Sequence, residues 1–187
     1  MEKAMEVLRK EHKVILKMLD VTDAVAGRLE AGEDMAPETL ASLLEFFRLF
    51  ADRCHHGKEE DLLFPRLQEK GMPRAGGPIA VMLAEHDQGR ALIRQMAEAA
   101  AVYQVGKTEV AQRWAEAARG YTALLRGHID KEDNVLFVMA ERMLSPAEQN
   151  ALAEDFEKIE VEKMGVGTHE RLHAMMDKMV AEFLAKR

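Results

Sequence analysis

The sequence has little of what builds a disulfide-stapled, membrane-spanning or β-rich protein. Its single cysteine, Cys54, leaves no partner for an internal disulfide. Charged residues interrupt every apolar run, including those of the first thirteen residues, so neither a membrane span nor a signal peptide is readable. Aromatic residues make up only 5% of the chain. A cytoplasmic protein without a membrane partner is the default expectation.

The chain also lacks an excess of basic residues. It has 33 acidic against 26 basic side chains, for a formal charge of -7. Binding to nucleic acid requires a basic surface that neutralises phosphates, so a DNA or RNA partner is disfavoured. A length of 187 residues suits one compact domain, or one domain with an appended helical arm.

What the chain does have is an abundance of residues that lose little rotamer freedom in a helix. Apolar residues recur at helical spacing, and glycine and proline fall between the periodic segments, which predicts an all-α fold. We predict four long helices followed by two shorter ones. Their expected ranges are about 2–30, 37–68, 79–105, 108–144, 145–165 and 168 to the C-terminus, with Thr108, Ser145 and Thr168 as N-caps and Gly106 ending the third.

One ten-residue pattern occurs twice. The segment from His55 to Phe64 matches the segment from His128 to Phe137 without gaps, at an offset of 73 residues. The pair Glu11-His12 recurs as Glu85-His86 at an offset of 74. The repeat therefore predicts one helical hairpin used twice, and each copy carries the same histidines and glutamate.

The repeated spacing suits metal binding. Residues four apart on a helix share one face, so His55 with Glu59, and His128 with Glu132, can each hold one ion jointly. Packed antiparallel, the hairpins would bring a further histidine from each neighbouring helix to the same depth. The predicted metal ligands are His12, His55, Glu59, His86, His128 and Glu132. Mixed imidazole and carboxylate donors suit Fe, Mn, Zn or Cu and favour a carboxylate-bridged pair of ions.

These blocks resemble the hemerythrin family, specifically its bacterial HHE cation-binding branch. The resemblance covers about residues 1–144. It implies an up-down-up-down four-helix bundle around two iron ions, with manganese or zinc as alternatives, joined by an oxo or hydroxo bridge. It also implies a small diatomic or peroxide ligand.

The chain departs from the oxygen-carrying members at two places. Four residues after His86, where the carriers have a second histidine, stands Arg90, which cannot lose its proton to bind a metal. Asp133 matches the aspartate that ends the carrier pattern, but the repeat favours Glu132 as the ligand and leaves Asp133 in reserve. The lost ligand shifts the expectation from carriage toward sensing, or toward reaction with oxygen, peroxide or nitric oxide.

Other residues have competing interpretations. His169 and His173 match the zinc-protease string HExxH, but no third ligand follows, so an outward helix face or support to the metal site is the better interpretation. His56 is an alternative ligand only if the register shifts by one residue. Tyr121 is either core or a hydrogen-bond donor toward the site. Cys54 is interpreted as a small buried hydrophobe, and Glu11 and Glu85 as solvated or outer-sphere groups. Ferritin-like bundles are the rival architecture, but their Glu-x-x-His motif is absent.

The leading functional hypothesis is a di-iron protein that binds dioxygen, nitric oxide or peroxide for sensing or handling. The first alternative is a di-iron enzyme for peroxide breakdown, nitric-oxide chemistry or iron-sulfur repair. The second is an iron-binding or structural helical protein without a redox role. Residues 145–187 are predicted to form a helical extension that packs on the bundle or serves association, which leaves a homo-oligomer open.

Overall fold

The computed structural model describes residues 3–103 and 107–184, and all regular structure in these ranges is helical. Six helices follow one another along the chain. They are α1 (Ala4–Glu30), α2 (37–69), α3 (Pro78–Val102), α4 (108–143), α5 (Pro146–Met164) and α6 (Thr168–Phe183). The predicted all-α class and the order of long and short helices are confirmed for the described residues.

The start of α5 follows the predicted capping chemistry. The Ser145 hydroxyl accepts a hydrogen bond from the backbone N–H of Glu148, whose carboxylate in turn accepts from the Ser145 N–H at 2.9 Å. This reciprocal arrangement satisfies two amide groups that a helix start leaves unpaired. Pro37 and Pro146 occupy first-turn positions, where the missing amide hydrogen is not needed.

Two of the predicted caps lie one residue away from the observed ones. Helix α6 starts at Thr168 after Gly167, whose φ of 79° a glycine adopts without strain, and the Thr168 hydroxyl donates to the Met164 carbonyl instead. The prediction that Thr168 is an N-cap is therefore wrong. Helix α4 begins at Thr108 with Lys107 in the cap position. The predicted end of α3 at Val105 and Gly106 lies outside the described residues.

Helices α2 and α4 are not α-helical throughout. The π-helical segments are Phe47–His56 and Glu59–Leu63 in α2, and Glu132–Leu136 in α4. A π-helix pairs each N–H with the carbonyl five residues earlier, which widens the turn, and such turns are frequent at functional sites. The segments that begin at Glu59 and Glu132 are related by the 73-residue repeat, whereas the long segment before His56 has no counterpart in α4.

The core consists of two apolar clusters separated by a polar layer. One cluster contains Phe46, Phe47, Phe50 and Trp114, and the other contains Phe64, Phe137 and Phe156. The polar layer holds the repeated histidines and glutamates. It is sealed from water at both ends, so a charged group within it must be paired or bind a metal.

Helices α5 and α6 pack on the side of the four long helices. Helix α5 contributes Leu152, Ala153 and Phe156 to one cluster, and α6 contributes Leu172, Met176 and Met179 to the other. None of the described helices has the length and apolarity that crossing a bilayer demands.

Candidate metal centre

The six predicted ligand residues meet in the polar layer. None of their side chains is more than 2% exposed, although each carries a charge or a polar ring. They come from all four long helices: His12 from α1, His55 and Glu59 from α2, His86 from α3, and His128 and Glu132 from α4. The structure thus brings every predicted ligand into one interior volume.

The four histidines form two pairs whose ε nitrogens point at each other. The Nε2 atoms of His12 and His55 are 3.0 Å apart, and those of His86 and His128 are 3.1 Å apart. Each pair joins the two helices of one hairpin, as the repeat requires. Two ε nitrogens at this separation can face a single ion.

Each glutamate links the two histidine pairs. Glu59 lies 3.7 Å from His55 Nε2 and 3.4 Å from His86 Nε2. Glu132 lies 3.2 Å from Nε2 of both His128 and His12. Each carboxylate therefore touches one histidine of its own helix and one of the other hairpin, which is the placement of a bridging ligand.

A seventh residue, His56, lies beside these six. Its ring stacks on His86 with centroids 3.8 Å apart, and its ligand atom falls within 4.8 Å of those of Glu59, His86 and His128. Burial, with the nearby charge of His86, lowers the pKa of His56 well below its ordinary value, so the ring is neutral and keeps a free lone pair.

From the sequence alone, His56 is a candidate ligand only if the register of the repeat shifts by one residue. In the structure, both His55 and His56 are buried at the end of a π-helical segment. The histidine doublet itself was the available signal. The repeat argued against it, since the counterpart of His56 is the apolar Ile129.

The donor set fits a metal pair. All four carboxylate oxygens of Glu59 and Glu132 are buried and lack any hydrogen-bond partner among the described residues. A buried carboxylate without a hydrogen-bond partner is strongly destabilising unless a cation, either a metal ion or a protonated histidine, lies beside it. The facing Nε2 atoms also require a proton or a metal ion near them. Without one, the lone pairs of two neutral imidazoles about 3.0 Å apart would repel each other.

Each of the four paired histidines is oriented by a carboxylate at its other nitrogen. The Nδ1 distances are 2.9 Å for His12 to Asp133, 2.8 Å for His55 to Glu11, 2.7 Å for His86 to Glu60 and 3.0 Å for His128 to Glu85. An ionised carboxylate only accepts, so each Nδ1 carries the hydrogen and each Nε2 is left to bind a metal.

A cation stands behind each of these outer carboxylates. Lys58 pairs with Glu11, Arg90 with Glu60 at 2.7 Å, Lys131 with Glu85, and Arg9 with Asp133 at 3.8 Å. Burial alone would raise the pKa of the glutamates, but the neighbouring cations and histidines lower it to about 2 for Glu11 and Glu60 and also lower it for Glu85. Four chains of histidine, carboxylate and cation thus surround the centre.

Several open interpretations are resolved by these contacts. Asp133 binds His12 Nδ1 and does not face the cluster, so it is an orienting group in the described geometry. Arg90 lies outside the histidine cluster and binds Asp52 and Glu60. Cys54 is buried, and burial together with the charge of Glu11 raises the pKa of its thiol to about 12, so it is no thiolate at neutral pH.

Two other candidates lie away from the histidine cluster. The rings of His169 and His173 lie in contact, tilted by 49° with centroids 4.5 Å apart, and line a cavity of about 370 Å³ between the bundle and α5 and α6. Tyr121 packs against Phe47 and lines a second cavity of about 230 Å³ that reaches His56. Both interpretations of Tyr121, as core and as a polar group near the site, therefore stay compatible with its position.

Protonation of the histidines balances the buried charge when no metal is bound. Burial disfavours an imidazolium, yet Asp133 and Glu132 raise the pKa of His12 to about 10. Glu59 and Glu60 raise the pKa of His86 to about 9 against the same burial. In the metal-free protein, the protons on His12 and His86 therefore supply positive charge that a metal would otherwise bring. These protons must leave when a metal binds.

The metal-free protein should lose stability as the pH rises above neutral. An unfolded histidine has a pKa of about 6.5, so both groups bind protons more tightly in the folded chain. Their contribution is complete below that pH and is lost as the pH passes about 9 to 10. Urea titration of chelator-treated protein should show the free energy of unfolding falling between pH 7 and pH 10.

The double variant His12→Asn/His86→Asn provides the control, because asparagine does not titrate there. Its free energy of unfolding should fall less over the same range. An equal fall in both proteins would show that other groups cause it.

The chain is similar to known sequences over the segment that carries the polar layer. The family model described as the hemerythrin HHE cation binding domain matches residues 3–140, which include all seven candidate ligands. Uncharacterized proteins of Mycobacterium bovis and Mycobacterium tuberculosis are each 28% identical to the chain over 166 residues. The match covers 87% of this chain but 63% of each relative, so the chain spans less than two thirds of their length. No solved structure matches significantly.

Proposed function

Because the chain belongs to the hemerythrin HHE cation-binding family, we propose that it holds two iron ions in the polar layer and binds a small ligand there. His12 and His55 hold one ion and His86 and His128 hold the other, with Glu59 and Glu132 bridging. The observation that carries this proposal is the set of four buried, unpartnered carboxylate oxygens facing two converging pairs of ε nitrogens.

The proposed architecture is an up-down-up-down bundle over residues 1–144 with an extension, 145–187, that packs on it. Its support is the order in which each helix passes through the two apolar clusters. Along α1, Leu8 of the cluster that contains Phe64 precedes His12, and Ile15 of the cluster that contains Phe46 follows it. Along α2 the chain passes through the two clusters in the reverse order. Helix α3 repeats the order of α1, and α4 that of α2, as alternating helix directions require.

The choice of iron rests on the donor set. Imidazole and carboxylate together suit iron, manganese and zinc and disfavour magnesium and calcium. Sharing of both carboxylates between two histidine pairs favours a pair of ions over one. A bound iron pair would supply one-electron redox chemistry and open coordination positions.

The protein residues have definable parts in this function. The two apolar clusters exclude water from both ends of the site. The outer carboxylates fix each ring so that Nε2 faces inward, and the cations behind them keep those carboxylates charged. His56 is a candidate fifth donor to the ion held by His86 and His128, which would make the two ions unequal.

We place binding of dioxygen, nitric oxide or peroxide for sensing or handling first. A di-iron enzyme that turns over peroxide or nitric oxide is the second candidate, favoured by the cavity that opens on His56. Both need small ligands to reach the metals, and turnover separates them.

Redox cycling tests the proposed function. Iron-loaded protein, reduced without oxygen, should lose its near-ultraviolet and visible charge-transfer absorption and regain it on exposure to air. Repeating the cycle with hydrogen peroxide separates the candidates, since stoichiometric change indicates binding and sustained consumption indicates an enzyme. Iron-loaded protein with no reversible absorption would contradict both.

A further inference from the structure

The cavity that ends on His56 has the size of a small-molecule passage. Its volume is about 230 Å³, below the ~300 Å³ at which pockets for organic ligands usually begin. Phe47, Ile93 and Tyr121 form apolar walls, and His56 carries the wall on to the candidate metal cluster. The cavity of about 370 Å³ between the bundle and α5 and α6 reaches Glu11 and Lys58, which lie behind the histidines.

The lining of this His56 cavity is positively charged although the chain as a whole is negative. Three arginines, Arg48, Arg90 and Arg94, line it against one acid, Asp52. Arg90 binds Asp52 at 2.8 Å, so these two charges offset each other. Arg48 and Arg94 are exposed and make no ion pair with any residue of the described ranges.

Such a charge arrangement selects ligands by sign. Charges of one sign around a cleft with apolar walls focus the field and raise the local concentration of oppositely charged solutes. Neutral dioxygen and nitric oxide gain nothing from this field. Small inorganic anions, such as the conjugate bases of weak acids or superoxide, are attracted.

We propose that the His56 cavity is the route by which small inorganic anions reach the metal pair, and that Arg48 and Arg94 give it this preference. The inference rests on the proposed metal centre and names the ligand class that the centre would receive. Gly89 also lines the passage, and a Cβ there would lie in van der Waals contact with the Tyr121 ring, at 3.6 Å.

The test compares an anionic and a neutral probe on protein already shown to hold two iron ions. Stopped-flow absorption gives the association rates of azide and of nitric oxide. In Arg48→Gln/Arg94→Gln, azide should bind ~5–10-fold more slowly at low ionic strength, with little difference at high salt. The nitric oxide rate should not change. The control Arg113→Gln/Arg142→Gln removes two exposed arginines elsewhere and should leave both rates unaltered.

A second pair of variants tests the route itself. Gly89→Leu and Ile93→Trp should each slow both probes, because they fill the passage without changing its charge. An azide rate that is insensitive to the arginine pair, or rates that are insensitive to filling, would overturn the proposal. Protein that holds no iron at the start would instead refute the proposed function.

A different observation concerns the two outer lysines, which the repeat makes equivalent. Lys58 binds Glu11, and Lys131 binds Glu85. Lys131 is 42% exposed, whereas Lys58 is 1% exposed because α5 covers it. On α5, Glu160 accepts a second hydrogen bond from Lys58 at 2.8 Å.

The sequence makes room for this cover at Gly57. The counterpart of Gly57 in the second block is Asp130, which is exposed. A Cβ on Gly57 would meet the Lys163 side chain at 3.4 Å, and Lys163 also pairs with Asp61. Two ion pairs, Glu160 with Lys58 and Lys163 with Asp61, thus join α5 to this part of α2.

We infer that Glu160 is a positioning residue for the ion held by His12 and His55. The Glu160 carboxylate holds the Lys58 ammonium group in place, and Lys58 in turn holds the Glu11 carboxylate. That carboxylate accepts the hydrogen bond from Nδ1 of His55. The equivalent chain of contacts runs from His128 through Glu85 to Lys131, whose side chain is exposed to solvent. The covered ion should therefore be released more slowly than its neighbour.

Chelator extraction of the iron-loaded protein tests this inference. The wild type should lose iron in two phases of equal amplitude, and Glu160→Gln should accelerate the slow phase several-fold, less than the ~10-fold effect of losing a direct partner of a ligand. The control Glu157→Gln, an exposed acid on the same helix, should change neither phase.

Mössbauer spectra of iron-57 protein add a signature that a merely structural role would not produce. Glu160→Gln should alter one of two iron signals and leave the other. Equal acceleration of both phases, or unchanged phases, would overturn the inference. A wild type without iron would refute the metal centre instead.

Discussion

Glu59→Ala should reduce the iron content of the fully loaded protein from two ions per chain to one or fewer. Both oxygens of Glu59 lie in the buried cluster, facing one histidine of each hairpin. Its removal takes a ligand from both ions and leaves their positive charges poorly balanced in an interior that cannot solvate them. Glu132→Ala should have the same effect, since Glu132 occupies the equivalent place.

The measurement is iron per chain after loading and gel filtration, with circular dichroism to verify folding. Glu59→Gln keeps the shape of the side chain and should also fail, because a neutral amide does not balance the charge. Glu69→Ala, an exposed acid on the same helix, is the matched control and should retain two ions. Two firmly bound ions in both bridging variants would show that the glutamates do not bridge.

Loading with iron should raise the melting temperature of the protein by roughly 10 °C or more. At free metal about a thousand times the dissociation constant, each site adds ~4 kcal/mol of stability. A chain of this size gains about 2–4 °C per kcal/mol. The metal also relieves the proximity of the facing Nε2 atoms and of the unpartnered carboxylates.

Differential scanning calorimetry of chelator-treated and loaded protein measures this effect. The double variant Glu59→Ala/Glu132→Ala serves as the control, since added iron should barely shift its melting temperature. Equal melting temperatures for loaded and metal-free wild type would indicate that the polar layer is a self-sufficient salt-bridge network.

The sequence predicted the helices well because their boundaries are set by local chemistry. Ser145 with Glu148 starts α5, and Pro37 and Pro146 fall in first turns, as capping rules require. The error at Thr168 arose because Gly167 could take the positive φ that places the chain turn one residue earlier. Residue preferences for the N-cap position do not decide which of two neighbouring residues, Gly167 or Thr168, occupies it.

The repeat predicted the members of the site for a physical reason. Two hairpins with ligands at equal depths must bring them together once they pack, whatever the details of packing. The π-helical turns were not predictable from the sequence, and they decide that His56 faces the cluster as well as His55. Glu60 and Asp133 each directly follow one of the two buried glutamates, Glu59 and Glu132, so the repeat held a signal for their contacts with His86 and His12 that the sequence analysis did not use.

The place of α5 depends on tertiary contacts alone. Its apolar stripe fits any partner surface, and only the structure puts Glu160 beside Lys58. The match of the family model ends at residue 140, so nothing in it bears on α5.

Metal content of the purified wild-type protein tests the central claim most directly. We expect two iron ions per chain after loading, with an optical or Mössbauer signature of a coupled pair. A protein that is isolated without metal and takes up none under reducing conditions would contradict it.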